Sequence, residues 1–171
     1  MPSPIGHALG GIAAAWAVVP RRNLHTGIVL AAAALAPDLD LLVGDHRGIS
    51  HSAGAAVAAG LLAGAWSVAI APAGRRHAPR WAAAVTLAWA SHVFLDWLSN
   101  DTRPPIGVMA LWPIARDYYK AAIEIFPPVS RQCCGRRFWL HNMRAAVVEL
   151  LIMAPLLWLA LRRFKRNAPS H

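Results

Sequence analysis

The chain has 171 residues, 57% of them hydrophobic and only 15% charged, with a net charge of +9 and a mean hydropathy of +0.40. That is one domain's length, too apolar and charge-poor for an ordinary soluble fold, and it points to an integral membrane protein. The basic excess invites nucleic-acid binding, but no RNA- or DNA-binding motif with interleaved aromatics is present.

A bilayer-spanning helix needs about 17–25 predominantly apolar residues. Segment 5–20 follows Pro2-Ser3-Pro4, has no charged region before it and is followed by Arg21 and Arg22. It reads as a short retained helix rather than a secretory signal. Segments 24–43, 53–73, 81–99 and 145–161 are each expected to span. Between the second and third segments lies PDLDLLVGDHRGISHS, residues 37–52. It holds Asp38, Asp40, Asp45, His46, Arg47 and His51 in a chain otherwise rich in alanine, leucine and valine. One reading is a polar loop in which Ser50 or Ser52 caps a helix. The other is a metal site, because carboxylates and imidazoles are ligands for divalent ions.

The short basic clusters set the expected topology. Arg21 and Arg22, then Arg75, Arg76 and Arg80, then Arg162, Arg163, Lys165 and Arg166 all fall on one side when crossings are counted. The positive-inside rule makes that side cytoplasmic. The other eight cations lie opposite, mostly in the long connection of about residues 100–141, where the rule is weak. His7, Asp38, Asp40, His46, Arg47, His51, His92, Asp96 and Glu149 then all approach the non-cytoplasmic face. His92 and Asp96 are four residues apart, hence neighbours on one helical face. In an apolar helix such a pair is a functional candidate, or a hydrogen bond stapling two helices. Pro37 fits a helix that breaks there and lets Asp38 and Asp40 turn inward, which is tolerated at membrane depth beside a polar cavity.

Four ordered motifs carry a resemblance. GHALGG (6–11), APDLD (36–40), HRGISHS (46–52) and SHVFLDW (91–97) resemble those of the YdjM-like membrane-bound metal-dependent hydrolases, and GVMALWP (107–113) is similar to that family's next block. The resemblance spans about residues 2–113, with Glu149 a late member. The family pattern is in turn similar to zinc-dependent phospholipases C and single-strand nucleases, all-helical enzymes with His/Asp zinc clusters. The chain departs from them where His-x-x-x-Glu is wanted, since His141 stands eight residues before Glu149.

The expectation is an all-α bundle of about five apolar helices, one membrane-embedded hydrolase-like domain over residues 1–171, in a bacterial inner membrane. Its metal ligands are expected to be His7, Asp38, Asp40, His51, His92 and Asp96. They would hold one or two ions, Zn fitting best and Mn or Fe also compatible, with Asp40 or Asp96 bridging. Arg47 is a candidate phosphate clamp or an arginine facing lipid headgroups. His46 is a ligand, a general acid or an orienting partner, and Glu149 a ligand or an orienting carboxylate. The expected reaction is hydrolysis of a phosphoester, with that of a membrane lipid as the candidate, by metal-activated water. A single-stranded nucleic acid would need stacking aromatics, for which Trp97, Trp112, Tyr118 and Tyr119 are available, although no nucleic-acid partner is expected.

An ion or proton transporter also places His and Asp in apolar helices, and a non-catalytic metal-stabilised scaffold is the third class. Trp81 and Trp97 bracket the fourth segment as interface anchors. Trp16, Trp66, Trp89 and Trp158 read as packing or lipid-facing residues. The vicinal pair Cys133-Cys134 lacks metal-ligand spacing. Segment 103–137, with a short helix expected around 116–125, either caps the site or lies on the membrane surface.

Overall fold

Three helices begin where a polar side chain takes an N–H that the helix leaves unbonded. Ser3 accepts from the Gly6 amide and opens α1 (Pro4–Ala15), Asn23 accepts from Thr26 and opens α2 (Leu24–Leu35), and Ser52 accepts from Ala55 and opens α3 (Ala53–Ile70). A 3-10 turn at Pro72–His77 leads into α4 (Ala78–Trp97), and α5 runs from Arg136 to Lys165 with Pro155 inside it. The computed structural model describes residues 2–44, 46–100, 104–129 and 135–165. Asp45, Cys133, Cys134 and Arg166 therefore lie outside the described residues.

At Pro37 the second helix does not stop. It tightens into a 3-10 helix, Ala36–Leu42, as expected where proline supplies no N–H for the α-helical ladder. The combined stretch Leu24–Leu42 is long and apolar enough to cross a membrane, as are Ala53–Ile70 and Arg136–Arg162. The expected span at 81–99 is not among them. Its helix, α4, packs against α1, α2 and α3 at once. Enclosed by neighbours, it needs no continuous apolar surface and can carry His92 and Asp96. α1, at 12 residues, is short for a crossing. α5 starts nine residues earlier than the expected 145, because Arg136–Arg144 continue the helix.

The helix expected at 116–125 is absent. That stretch is irregular, and its amides are committed elsewhere. Ala121 N–H donates to the Trp97 carbonyl, Ile125 N–H to Leu98, and Asn100 N–H to Phe126. The end of α4 leaves carbonyls without helical partners, and bonding to them outweighs local helix propensity. Farther along, the Met109 amide donates to the Arg47 carbonyl, while Ala53 and Gly54 at the start of α3 donate to Ala110 and Trp112. Residues 99–100 and 104–126 thus form a cap strapped to the end of α4 and the beginning of α3.

The bundle is closely spaced because small residues line its contacts. Ala15, Ala34, Ala84 and Ala88 are buried together with Val19 and Leu30. A Cβ at Gly11 would stand 2.3 Å from the Ala34 Cβ, and one at Gly60 would stand 1.9 Å from Thr86 Oγ1 and 2.6 Å from the Ala82 carbonyl. Such contacts are how helices associate in lipid, where burying apolar surface gives no advantage. Outward-facing residues such as Leu62, Trp66 and Leu151 are large, apolar and exposed.

Gly60→Ala is accordingly expected to destabilise the bundle by about 1–3 kcal/mol through overpacking, measured as a shift in thermal unfolding in detergent. Gly74→Ala, whose added Cβ would meet nothing closer than 3.7 Å, is the control. Equal melting of the two variants would refute the close α3–α4 approach.

Candidate metal centre

A 3-10 helix turns once every three residues, so Asp38 and Asp40, two apart, point to different places. Asp40 faces the turn that follows. Its Oδ2 accepts from the Arg47 amide at 3.0 Å and the Ser50 hydroxyl at 2.6 Å, and its Oδ1 lies 2.9 Å from His46 Nδ1. His51 Nδ1 stands 3.0 Å from the same Oδ2. This one carboxylate organises residues 46–51. The turn is also held from α4, where the Trp89 indole donates to the Ser50 carbonyl at 2.8 Å.

Asp38 faces inward instead. Its Oδ1 is 3.6 Å from His51 Nε2 and 3.5 Å from His92 Nε2. Asp96 Oδ2 completes the group at 3.4 Å from His51 Nε2 and 3.7 Å from His92 Nε2. His51 and His92 are wholly buried, and Asp96 is 2% exposed. The two imidazoles point Nε2 at each other, 3.0 Å apart.

These donors fit a metal ion by their chemistry. His92 Nδ1 donates to the Ala34 carbonyl at 2.7 Å, which makes Nε2 the nitrogen with a lone pair for a metal. Asp40 does the same for His51 through Nδ1. Meanwhile the buried Asp38 Oδ1 and both Asp96 oxygens have no hydrogen-bond partner. Buried polar atoms without partners are costly, and here they converge on the same point as two oriented imidazoles. Ligand nitrogens on a tetrahedral zinc stand roughly 3.3 Å apart, close to the separation found. Asp38, His51, His92 and Asp96 form one possible ion-holding set, and Asp38, Asp40, His46 and His51 a second. The carboxylate shared by both is Asp38. Asp40 or Asp96 was expected to bridge, but the two-residue offset on a 3-10 turn gives Asp38 the central position.

The remaining expected residues fall around this core. The His7 ring stacks on His92 with centroids 3.7 Å apart and planes 17° apart, and its Nε2 approaches Asp96 Oδ1 at 3.4 Å. His7 is wholly buried, neither ring nitrogen has a hydrogen bond, and it stands beside the inner set, outside both four-residue groups. Arg47 is 5% exposed and holds φ at +70°, with its amide on Asp40 and its carbonyl on the cap. Glu149 lies outside both sets. It accepts from the Ser3 amide at 2.7 Å and from the Ser3 hydroxyl, and so fixes the start of α1 that carries His7.

The sequence reading gives Trp89 to packing or lipid and Ser50 to a helix cap, and assigns no role to Ser3. Trp89 stands three residues before His92, on the same face of α4, and that spacing was the available signal. Ser3 meets its partner across 146 positions, which no local pattern encodes.

His46 and His51, both outside the spans, differ in charge. Burial lowers the pKa of His46 and outweighs its contact with Asp40. Burial also opposes charge on His51, but Asp38, Asp40 and Asp96 overcome it and push the pKa up to about 10.

The sequence model of the YdjM inner membrane protein family matches residues 1–168. No curated protein matches the chain, and no solved structure does. The match therefore supports a family and an integral membrane location, and leaves the chemistry to be argued from the site.

His51 has a raised pKa, so in the metal-free protein its proton contributes stability fully below the unfolded value of about 6.5, and that contribution is lost as pH rises through about 10. Chelated protein is expected to melt at progressively lower temperature across that window. Metal affinity should rise over the same range, because binding displaces the proton. A flat melting profile would contradict the charge arrangement. His92→Ala and Asp96→Ala are each expected to lower bound metal in elemental analysis, and full occupancy in both would make the pair a structural staple.

Proposed function

The chain belongs to the YdjM inner membrane protein family, and from that premise we propose that it is a membrane-bound metal-dependent hydrolase acting on a phosphoester of a membrane lipid. The observation that carries this reading is the buried group Asp38, His51, His92 and Asp96, whose unsatisfied donors converge on one point. These four residues would hold a divalent ion, zinc by ligand type, and the pair of overlapping sets leaves room for a second. When bound, such an ion supplies Lewis acidity toward a phosphoryl oxygen and acidifies water at neutral pH.

The chain's own residues supply the rest. Asp40 and the Ala34 carbonyl keep His51 and His92 in the tautomers that face the centre. His46 donates through Nδ1 to Asp40, which leaves Nε2 as the basic nitrogen. Its lowered pKa keeps it neutral near pH 7, the state in which imidazole takes a proton from water and returns it to a leaving alkoxide. Arg47 offers a fork of donors for two phosphate oxygens. Its positive φ, unusual for a residue with a side chain, is a strain typical of binding sites. Glu149 acts at a distance, by seating α1 and hence His7.

Depth supports a lipid substrate. Twelve residues separate Arg80 from His92 on α4, about 18 Å of helix, and Asp96 lies about 24 Å along. A hydrocarbon core is about 30 Å thick. With the basic end at one boundary, the cluster sits some 6–12 Å inside the other, among the acyl chains below the lipid phosphates. The cap above it exposes Ile106, Leu111, Ile114 and Ile123, an apolar surface suited to that depth. An ion pathway fits less well. Between the cluster and the basic end stand Ala15, Leu30, Ala34, Ala84 and Ala88, buried and apolar.

Metal-dependent release of a phosphorylated headgroup or phosphate from lipid in detergent micelles is the expected activity. It should vanish in Asp38→Asn, fall about 10–100-fold in Asp40→Asn, which weakens the contacts that orient His46 and His51, and drop sharply in Arg47→Lys. Turnover unchanged in Asp38→Asn would assign the activity to a contaminant. The site is further expected to face away from the cytoplasm. In a Cys133→Ser/Cys134→Ser background, a membrane-impermeant thiol reagent on intact cells should label Asp117→Cys and spare Arg76→Cys. The opposite pattern would reverse the topology.

A further inference from the structure

The end of the bundle opposite the His/Asp cluster contains a groove of about 520 Å³ that the proposed reaction does not use. It lies between α2, α3, α4 and the 3-10 turn Pro72–His77. Arg21, His25 and His77 line its outer part. Trp66 and Trp81 form its walls, and Val29, Ala63 and Val85 continue it along the helices toward the bilayer interior. The lining is thus ordered along the membrane normal. Arg21, His25 and His77 stand at the outer end beside Ile70 and Ala71, the indoles follow, and Val29, Ala63 and Val85 lie deepest.

We propose that this groove binds an anionic phospholipid of the leaflet at the basic end, with the headgroup phosphate at Arg21, His25 and His77 and one acyl chain along Val29, Ala63 and Val85. The charge is complementary, since the end formed by Arg21, Arg22, Arg75, Arg76 and Arg80 has no Asp or Glu in residues 1–37 or 52–95. Guanidinium and imidazole both donate to phosphate oxygens. Basic pockets between membrane helices on one face are a recurrent form of headgroup recognition, and the indoles flanking this one suit the interface. The aliphatic part separates a lipid from a soluble phosphate, because a small anion has no use for it. This assignment is independent of the hydrolase reading, as none of its residues touches the His/Asp cluster.

The test uses the full-length protein in mixed micelles, with lipid retention read by native mass spectrometry and by melting temperature. Phosphatidylglycerol should be retained and should raise the melting temperature, while phosphatidylcholine at equal concentration should do so weakly. Arg21→Gln is expected to weaken phosphatidylglycerol retention about fivefold. Arg75→Gln, which removes the same charge outside the groove, should have a smaller effect. Ala63→Phe, filling the aliphatic part without changing charge, should also reduce retention, and Gly135→Ala, whose added Cβ meets nothing within 4 Å and lies outside the groove, should not. Equal retention of the two lipids would overturn the charge assignment. Equal effects of Arg21→Gln and Arg75→Gln would replace the groove with diffuse surface attraction. Displacement of lipid by inorganic phosphate alone would overturn the acyl-chain contact.

Discussion

Asp38, His51, His92 and Asp96 meet where almost no water reaches them, and the arrangement of the bundle follows from what that costs. Moving an ionised group out of water costs several kcal/mol even after relaxation, and a buried polar atom without a partner adds to this. The cluster persists because each member is aimed. A backbone carbonyl on α2 turns His92, a carboxylate two residues from Asp38 turns His51, and an indole on α4 fixes the loop between them. Even the start of α1 is seated by Glu149 from the last helix. A site built by five separated parts of the chain is rigid because no single part can relax without unseating another.

Much of this could be read from the residues alone. Ionisable groups in an apolar chain are conspicuous, and the four-residue spacing of His92 and Asp96 requires one helical face. Pro37 signalled a break, and the helix instead continues there as a 3-10 turn. What could not be read depends on partners far along the chain. Whether Asp38 or Asp40 occupies the centre turns on a 3-10 rather than an α-helical pitch, a difference of a fraction of a turn. Glu149 looked like a member of the site because it shares its depth, yet its bonds go to Ser3. The stretch 116–125 has helix-forming residues but meets the unbonded carbonyls at the end of α4, and tertiary bonding prevailed.

The fourth helix shows why hydropathy and position need separate treatment. Its sequence is less apolar than those of α2 and α3, which suggests a weaker membrane element. In the fold it is packed against three other helices. Lipid exposure demands apolar surface, but a helix surrounded by protein is free of that demand. The residues that lower its hydropathy are the ones the site uses. The centre of the bundle is thus where polar chemistry is cheapest to hold.

The two ends of the bundle differ in a way that follows from the same small residues. Alanine and glycine let the backbones of α1, α2 and α4 approach until Ala15, Ala34, Ala84 and Ala88 exclude everything else. Close approach leaves no room there for water or for a chain of polar side chains. The His/Asp cluster is therefore held at one end and Arg21, Arg22, Arg75, Arg76 and Arg80 at the other, with a dry layer between. A low-dielectric layer of that kind strengthens attraction within the cluster while insulating it from the cations beyond. The packing that holds the helices together in lipid is also what keeps the chemistry of the chain on one side of it.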